Sequence, residues 1–133
     1  MKPSLIMSTI LMIAPALVMA KIPLKDEPRV QESMLAIGMA DMIRNECEMI
    51  NARMFRAFGY LRSIENYARQ QGYGAAEIQQ YIKDDAEKNR LYGIAHARFL
   101  QKGLNPEDPN SYCTVGLAEI AADSPIGRLL KAK

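Results

Sequence analysis

The sequence predicts an all-α fold, a small single-domain bundle of four to six helices stapled by one disulfide. Three observations predict it. Apolar residues recur at alternating steps of four and three through Ala36, Ala40, Ile43, Cys47, Ile50, Met54, Ala57, Leu61, Ile64 and Ala68, the spacing that keeps side chains on one face of a helix. Strand-like alternation is nowhere sustained, and good helix formers fill the intervening positions. Two cysteines, Cys47 and Cys113, each lie on such a stripe in a chain that carries an export signal.

The signal comes first. Met1–Ala20 has one cation, Lys2, then the apolar run Leu5–Ala20, closing on Val18-Met19-Ala20 with small residues at 18 and 20. This pattern predicts cleavage after Ala20. The run contains Pro15 and is shorter than the roughly 20 residues that a spanning helix needs. No cysteine follows the site, so lipid attachment is not indicated. The expected mature protein starts at Lys21 in the periplasm, with no stable membrane insertion. Cleavage leaves 113 of 133 residues, enough for one core. Hydrophobic residues at 49% argue against disorder, and a formal net charge of +2 gives no electrostatic case for nucleic acid or anionic lipid.

Residues 21–28 read as an extended leader, with Pro23, Pro28 and four charges. The helical domain is expected over 29–133. Its first helix starts near Arg29–Gln31 and buries Leu35, Met39 and Ile43, with a kink or short break around Asn45–Glu48. The second runs from about Glu48 to Gln71, burying Ile50, Met54, Phe58, Leu61, Ile64 and Ala68. Gly72 stops it. A third opens at Ala75 or Ala76 and buries Ile78, Tyr81 and Ile82. The stripe then slips, through a bend near Lys83–Asp85 or a longer solvent-bridging helix, and resumes at Leu91, Ala95 and Phe99 until Gly103. Asp108 and Pro109 read as cap and first residue of the next helix, with Cys113, Leu117 and Ile120 on its buried face. Ser124-Pro125 repeats that signal for a short final helix.

In an oxidising compartment an even cysteine count means a disulfide, and two cysteines allow one intramolecular pairing, Cys47–Cys113. It would close a loop of about 66 residues, worth about 4 kcal/mol at most by the chain-entropy argument.

Three stretches together carry a family resemblance: Ile43-Arg44-Asn45-Glu46-Cys47 with Ile50-Asn51-Ala52-Arg53; Gly72-Tyr73 with Ala76-Glu77-Ile78; and Tyr112-Cys113 with Gly116, Ala118-Glu119-Ile120, Ser124 and Ile126-Gly127-Arg128-Leu129-Leu130. The chain resembles domain of unknown function 5333, a family of short exported alphaproteobacterial proteins. The resemblance covers nearly all of the mature chain and implies compartment and boundaries. The family has no assigned activity, so no functional residue is carried over.

The residues themselves offer little chemistry. Ser33, Ser63, Ser111, Ser124 and Thr114 lie in no nucleophile motif, and the single histidine, His96, has no partner pattern for base catalysis. Asp84 and Asp85 are adjacent, so on a helix they point about 100° apart and do not share a site. No phosphate loop, metal-ligand motif or calcium loop is present, and no catalytic, cofactor or metal residue is expected. Met34, Met39, Met42, Met49 and Met54 crowd one segment, and thioethers bind Cu(I) outside the cytoplasm; packing or an adaptable partner surface accounts for them more simply. Arg44, Arg53, Arg56, Arg62 and Arg69 offer a cationic edge to an acidic partner, but the interleaved Glu46, Glu48 and Glu65 fit a solvated mixed-charge face better. The expectation is a non-enzymatic periplasmic protein that binds another envelope protein, as a small chaperone or accessory subunit. The alternative is a methionine-based copper handler.

Overall fold

The computed structural model describes residues 20–133; the signal peptide expected over 1–20 lies outside them save for Ala20. Five helices and one two-stranded ribbon make the described fold, and the all-α expectation holds apart from that ribbon.

Helix α1, Pro28–Glu46, is the centre. Pro28 occupies its first turn, where a missing N–H is harmless, and the Glu27 carboxylate accepts from the Val30 amide at 2.7 Å. Its length lets it serve two apolar clusters. Leu35, Met39 and Ile43 join the larger one, as the spacing predicted, and Val30 joins the smaller with Leu24, Ile64, Ala68, Tyr73 and Ile78. Leu24 sits in a short 3-10 turn, Leu24–Asp26, so the segment before α1 packs onto the domain.

The break falls where the sequence placed it, but its nature differs. Cys47 ends α1 in an extended conformation, and the chain reverses into a short strand, β1, Ile50–Ala52. Helix α2 begins at Met54, not Glu48, and runs to Gln70. It doubles back along α1: the Tyr67 hydroxyl, near the end of α2, donates to Glu27, before the start of α1, at 3.0 Å. The continuous stripe from Cys47 to Met54 is therefore a coincidence of spacing across a turn. Ile64 and Ala68 are the buried residues of α2, while Phe58 and Met54, expected inside, are exposed.

Gly72, at φ +91°, ends α2 in the left-handed conformation that glycine adopts without steric penalty, and the Tyr73 amide returns to the Ala68 carbonyl. Helix α3 spans Ala75–Lys83. The bend alternative holds next, because Asp84 ends α3 and caps α4, Asp85–Gln101, by accepting from the Ala86 and Glu87 amides. Leu91, Ala95 and Phe99 bury as expected.

Helix α5, Ser111–Ala121, starts later than its Asp108-Pro109 signal. Asp108 instead closes a local turn, accepting from the Asn110 amide at 3.0 Å. Cys113 is buried, but Leu117 is 42% exposed, and Val115 and Gly116 take the inner face. A Cβ at Gly116 would meet Ile43 Cγ2 and Ile50 Cδ1, each at 2.6 Å, so α5 approaches α1 closely because this residue has no side chain. The expected final helix is only a 3-10 turn, Gly127–Leu129, followed by strand β2, Leu130–Ala132. Strand β2 pairs antiparallel with β1, Ile50 opposite Ala132 and Ala52 opposite Leu130. Two strands of three residues are too short to display alternation in the sequence.

Candidate functional site

The cysteines meet. Cys47 and Cys113 form the described disulfide, with Cα atoms 5.1 Å apart, in the larger cluster. The bond ties the end of α1 to the first turn of α5. Both residues are buried, so its role is structural.

Most of the hydroxyls and carboxylates considered for chemistry have local partners. Ser111 Oγ lies between the Asn105 and Asp108 carbonyls, at 2.9 and 2.7 Å. Ser124 Oγ donates to the buried Glu119 carboxylate and accepts from the Gly127 amide. Asp84 caps α4, Asp85 pairs with Lys88, and His96 is exposed on α4. Met39 is fully inside the core, which separates it from the exposed thioethers of Met49 and Met54. Among the described residues, no cluster of three His, Cys, Asp or Glu side chains could hold a metal.

The Ser124 contact belongs to a latch at the end of the chain. Glu119 receives the Lys102 ammonium at 2.6 Å as well as the Ser124 hydroxyl. Burial pushes the Glu119 carboxyl up, but hydrogen bonds from Lys102 and Ser124 outweigh it and hold the group below the ordinary carboxylate range. Elsewhere, burial pushes the Tyr81 hydroxyl up to about 12, with the Glu87 carboxylate adding to the effect. That carboxylate is turned to Arg90, and among the described residues the buried Tyr81 hydroxyl has no hydrogen-bond partner.

The open feature is a groove. Helices α2 and α4 both pack on α1 and make little contact with each other. Between them lies a cavity of about 310 Å³, floored by Met34, Ile37, Gly38 and Ala40, with Ala57, Phe58 and Leu61 on one wall and Leu91, Tyr92 and Ala95 on the other. Its charged residues are few. Arg44 pairs with Asp41 at 2.7 Å, and Lys88 with Asp85 at 3.3 Å. From Met34 to Arg44 the floor extends about 15 Å along α1. Phe58 is 63% exposed at the rim, and beside it Phe55 is 96% exposed. The sequence did not mark this site, because the stripe assigned Met54 and Phe58 to the core. It forms because α2 turns back and leaves part of that stripe uncovered.

A family model described as a family of unknown function (DUF5333) matches residues 22–131. No curated protein and no solved structure matches the chain.

Proposed function

The chain belongs to the DUF5333 family, and on that premise we propose that it is an exported, periplasmic protein without enzymatic activity that binds another envelope protein, as a small chaperone or accessory subunit. One observation carries the reading: an apolar groove of about 310 Å³ stands open between α2 and α4, with exposed Phe58 and Met54 at its edge. A concave, mostly apolar cleft of this size is the usual form of a binding site. Methionine and aromatic side chains are enriched at protein interfaces, and the flexible thioethers of Met34 and Met54 adapt to a partner. The expectation of export is consistent with the Cys47–Cys113 bond, which persists in oxidising compartments.

Photocrosslinking in the native host tests the reading. A photoreactive residue at Phe58 or Leu61 is expected to yield one discrete protein adduct that the same probe at exposed Glu107 does not. Absence of a groove-specific adduct would exclude the reading. Intact mass of the recovered protein tests the export step; the expected mass begins at Lys21.

A further inference from the structure

The small net charge of the chain conceals a local excess of cations. Residues 49–64 and 125–133 contain six cations, Arg53, Arg56, Arg62, Arg128, Lys131 and Lys133, and no aspartate or glutamate, with Glu48, Glu65 and Asp123 at their borders. The rest of the described chain has ten cations against fifteen acidic side chains. The two cationic segments are far apart in sequence and are brought together by the β1–β2 ladder, in which Asn51 faces Lys131. Arg53 Nε donates to the Leu130 carbonyl at 2.9 Å and Arg56 Nη1 to the Arg128 carbonyl at 3.4 Å, which joins the start of α2 to the ribbon. All six cations are exposed. Among the described residues, only Arg128 has a carboxylate partner, the exposed Asp123.

On the same surface stand the most exposed large apolar side chains. Phe55, Phe58 and Arg62 fall at i, i+3 and i+7, one outward strip of α2. Phe55 projects from the surface and does not line the groove. An aromatic ring with no shaped wall around it suits a fluid counterpart that closes around it, and exposed cations, five of the six without a carboxylate partner among the described residues, suit an anionic one.

We propose that this surface of the molecule docks on an anionic lipid bilayer, with Phe55 entering the boundary between head groups and acyl chains and the cations around it facing the phosphates. The chemistry is that of interfacial binding by apolar insertion plus electrostatic attraction. The acidic surplus elsewhere is repelled by the same bilayer, so the local excess of cations also sets the orientation. The docking is peripheral, and no helix among the described residues is long and apolar enough to cross a membrane. This inference goes beyond the groove reading, since Phe55 and the six cations do not line the groove.

The test uses purified protein whose mass confirms removal of residues 1–20, so that the apolar N-terminus cannot itself bind lipid. Co-sedimentation is measured with vesicles of phosphatidylglycerol and phosphatidylethanolamine, and with vesicles of phosphatidylcholine. Binding to the anionic vesicles and weak binding to the neutral ones are expected, with release by salt. Replacing Arg56, Arg62, Lys131 and Lys133 by Gln should weaken binding about fivefold per charge. Phe55→Ser should weaken it about tenfold or more at constant salt, and far-ultraviolet dichroism should show the fold of each exposed-site variant intact. Equal binding to both vesicle types, or to neither, would overturn the proposal. So would unchanged binding by the four-cation variant, which rules out the electrostatics, or by Phe55→Ser, which rules out insertion. Retention of the protein on polyglutamate without vesicle binding would assign the patch to an acidic protein and overturn it equally.

Discussion

Gly127 and Glu119 are in backbone contact: a Cβ on Gly127 would lie 2.0 Å from the Glu119 carbonyl oxygen. The Gly127 amide also donates to Ser124 Oγ, which in turn donates to the Glu119 carboxylate. The last turn of the chain thus folds down on α5 only because residue 127 has no side chain, and this placement delivers Leu129 and Leu130 to the core.

Gly127→Ala is therefore expected to destabilise the fold by about 3 kcal/mol, since a rigid backbone atom cannot yield to the added methyl. Gly38→Ala is the contrast. Nothing lies within 4 Å of its Cβ position. At a helical site with free space, alanine should stabilise by about 0.5–1 kcal/mol. Urea denaturation of both variants checks the pair, and a Gly127→Ala variant as stable as the parent would refute the contact.

Reduction of Cys47–Cys113 should lower the melting temperature by several degrees or more, because even about 2 kcal/mol moves a domain of this size that far. Cys47→Ala should melt like the reduced protein, and adding Cys113→Ala should change little, since both remove the same bond. Thiol labelling of native protein should find almost no free sulfhydryl.

The latch predicts an acid-sensitive fold. A carboxyl held below its ordinary value in the folded state, as Glu119 is, contributes stability that is present above the unfolded value of about 4.3. That contribution is lost as pH falls from there through the lower folded value. Glu119→Gln should be less stable at neutral pH and should lose part of the acid dependence. Lys102→Met should raise the Glu119 titration point, which NMR of the side-chain carboxyl reads directly.

Tyr81→Phe should be neutral or stabilising, by about 1 kcal/mol. The buried hydroxyl gives up water on folding and has no protein partner among the described residues, so removing it removes a desolvation penalty. A marked loss of stability would mean that the hydroxyl is bonded after all.

Copper titration should give no specific Cu(I) binding at micromolar concentrations, because Met39 is enclosed in the core and Met34 and Met54 border the groove. Stoichiometric binding lost in Met39→Leu with Met42→Leu would favour the copper handler, since leucine keeps the volume and removes the thioether.

Local spacing was enough to reveal the main helical segments, the glycine stops at 72 and 103 and the buried residues of α1 and α4, and it left the Asp84 bend as one of two alternatives. Each depends on contacts within one or two turns of chain, which the 3.6-residue period and capping chemistry express directly. The disulfide was legible for a different reason, since two cysteines in an exported chain leave one intramolecular choice. Only the tertiary structure decided the direction of the chain after Cys47. A periodic stripe states which residues share a face and says nothing about whether the chain continues or reverses. The reversal exposed Phe58, opened the groove and made Ile50–Ala52 a strand. Pairing of that strand with Leu130–Ala132 then set Arg53 and Arg56 beside Arg128 and Lys131, cations from opposite parts of the chain. A net charge cannot show that juxtaposition, because summation discards position, and position is what an electrostatic surface depends on.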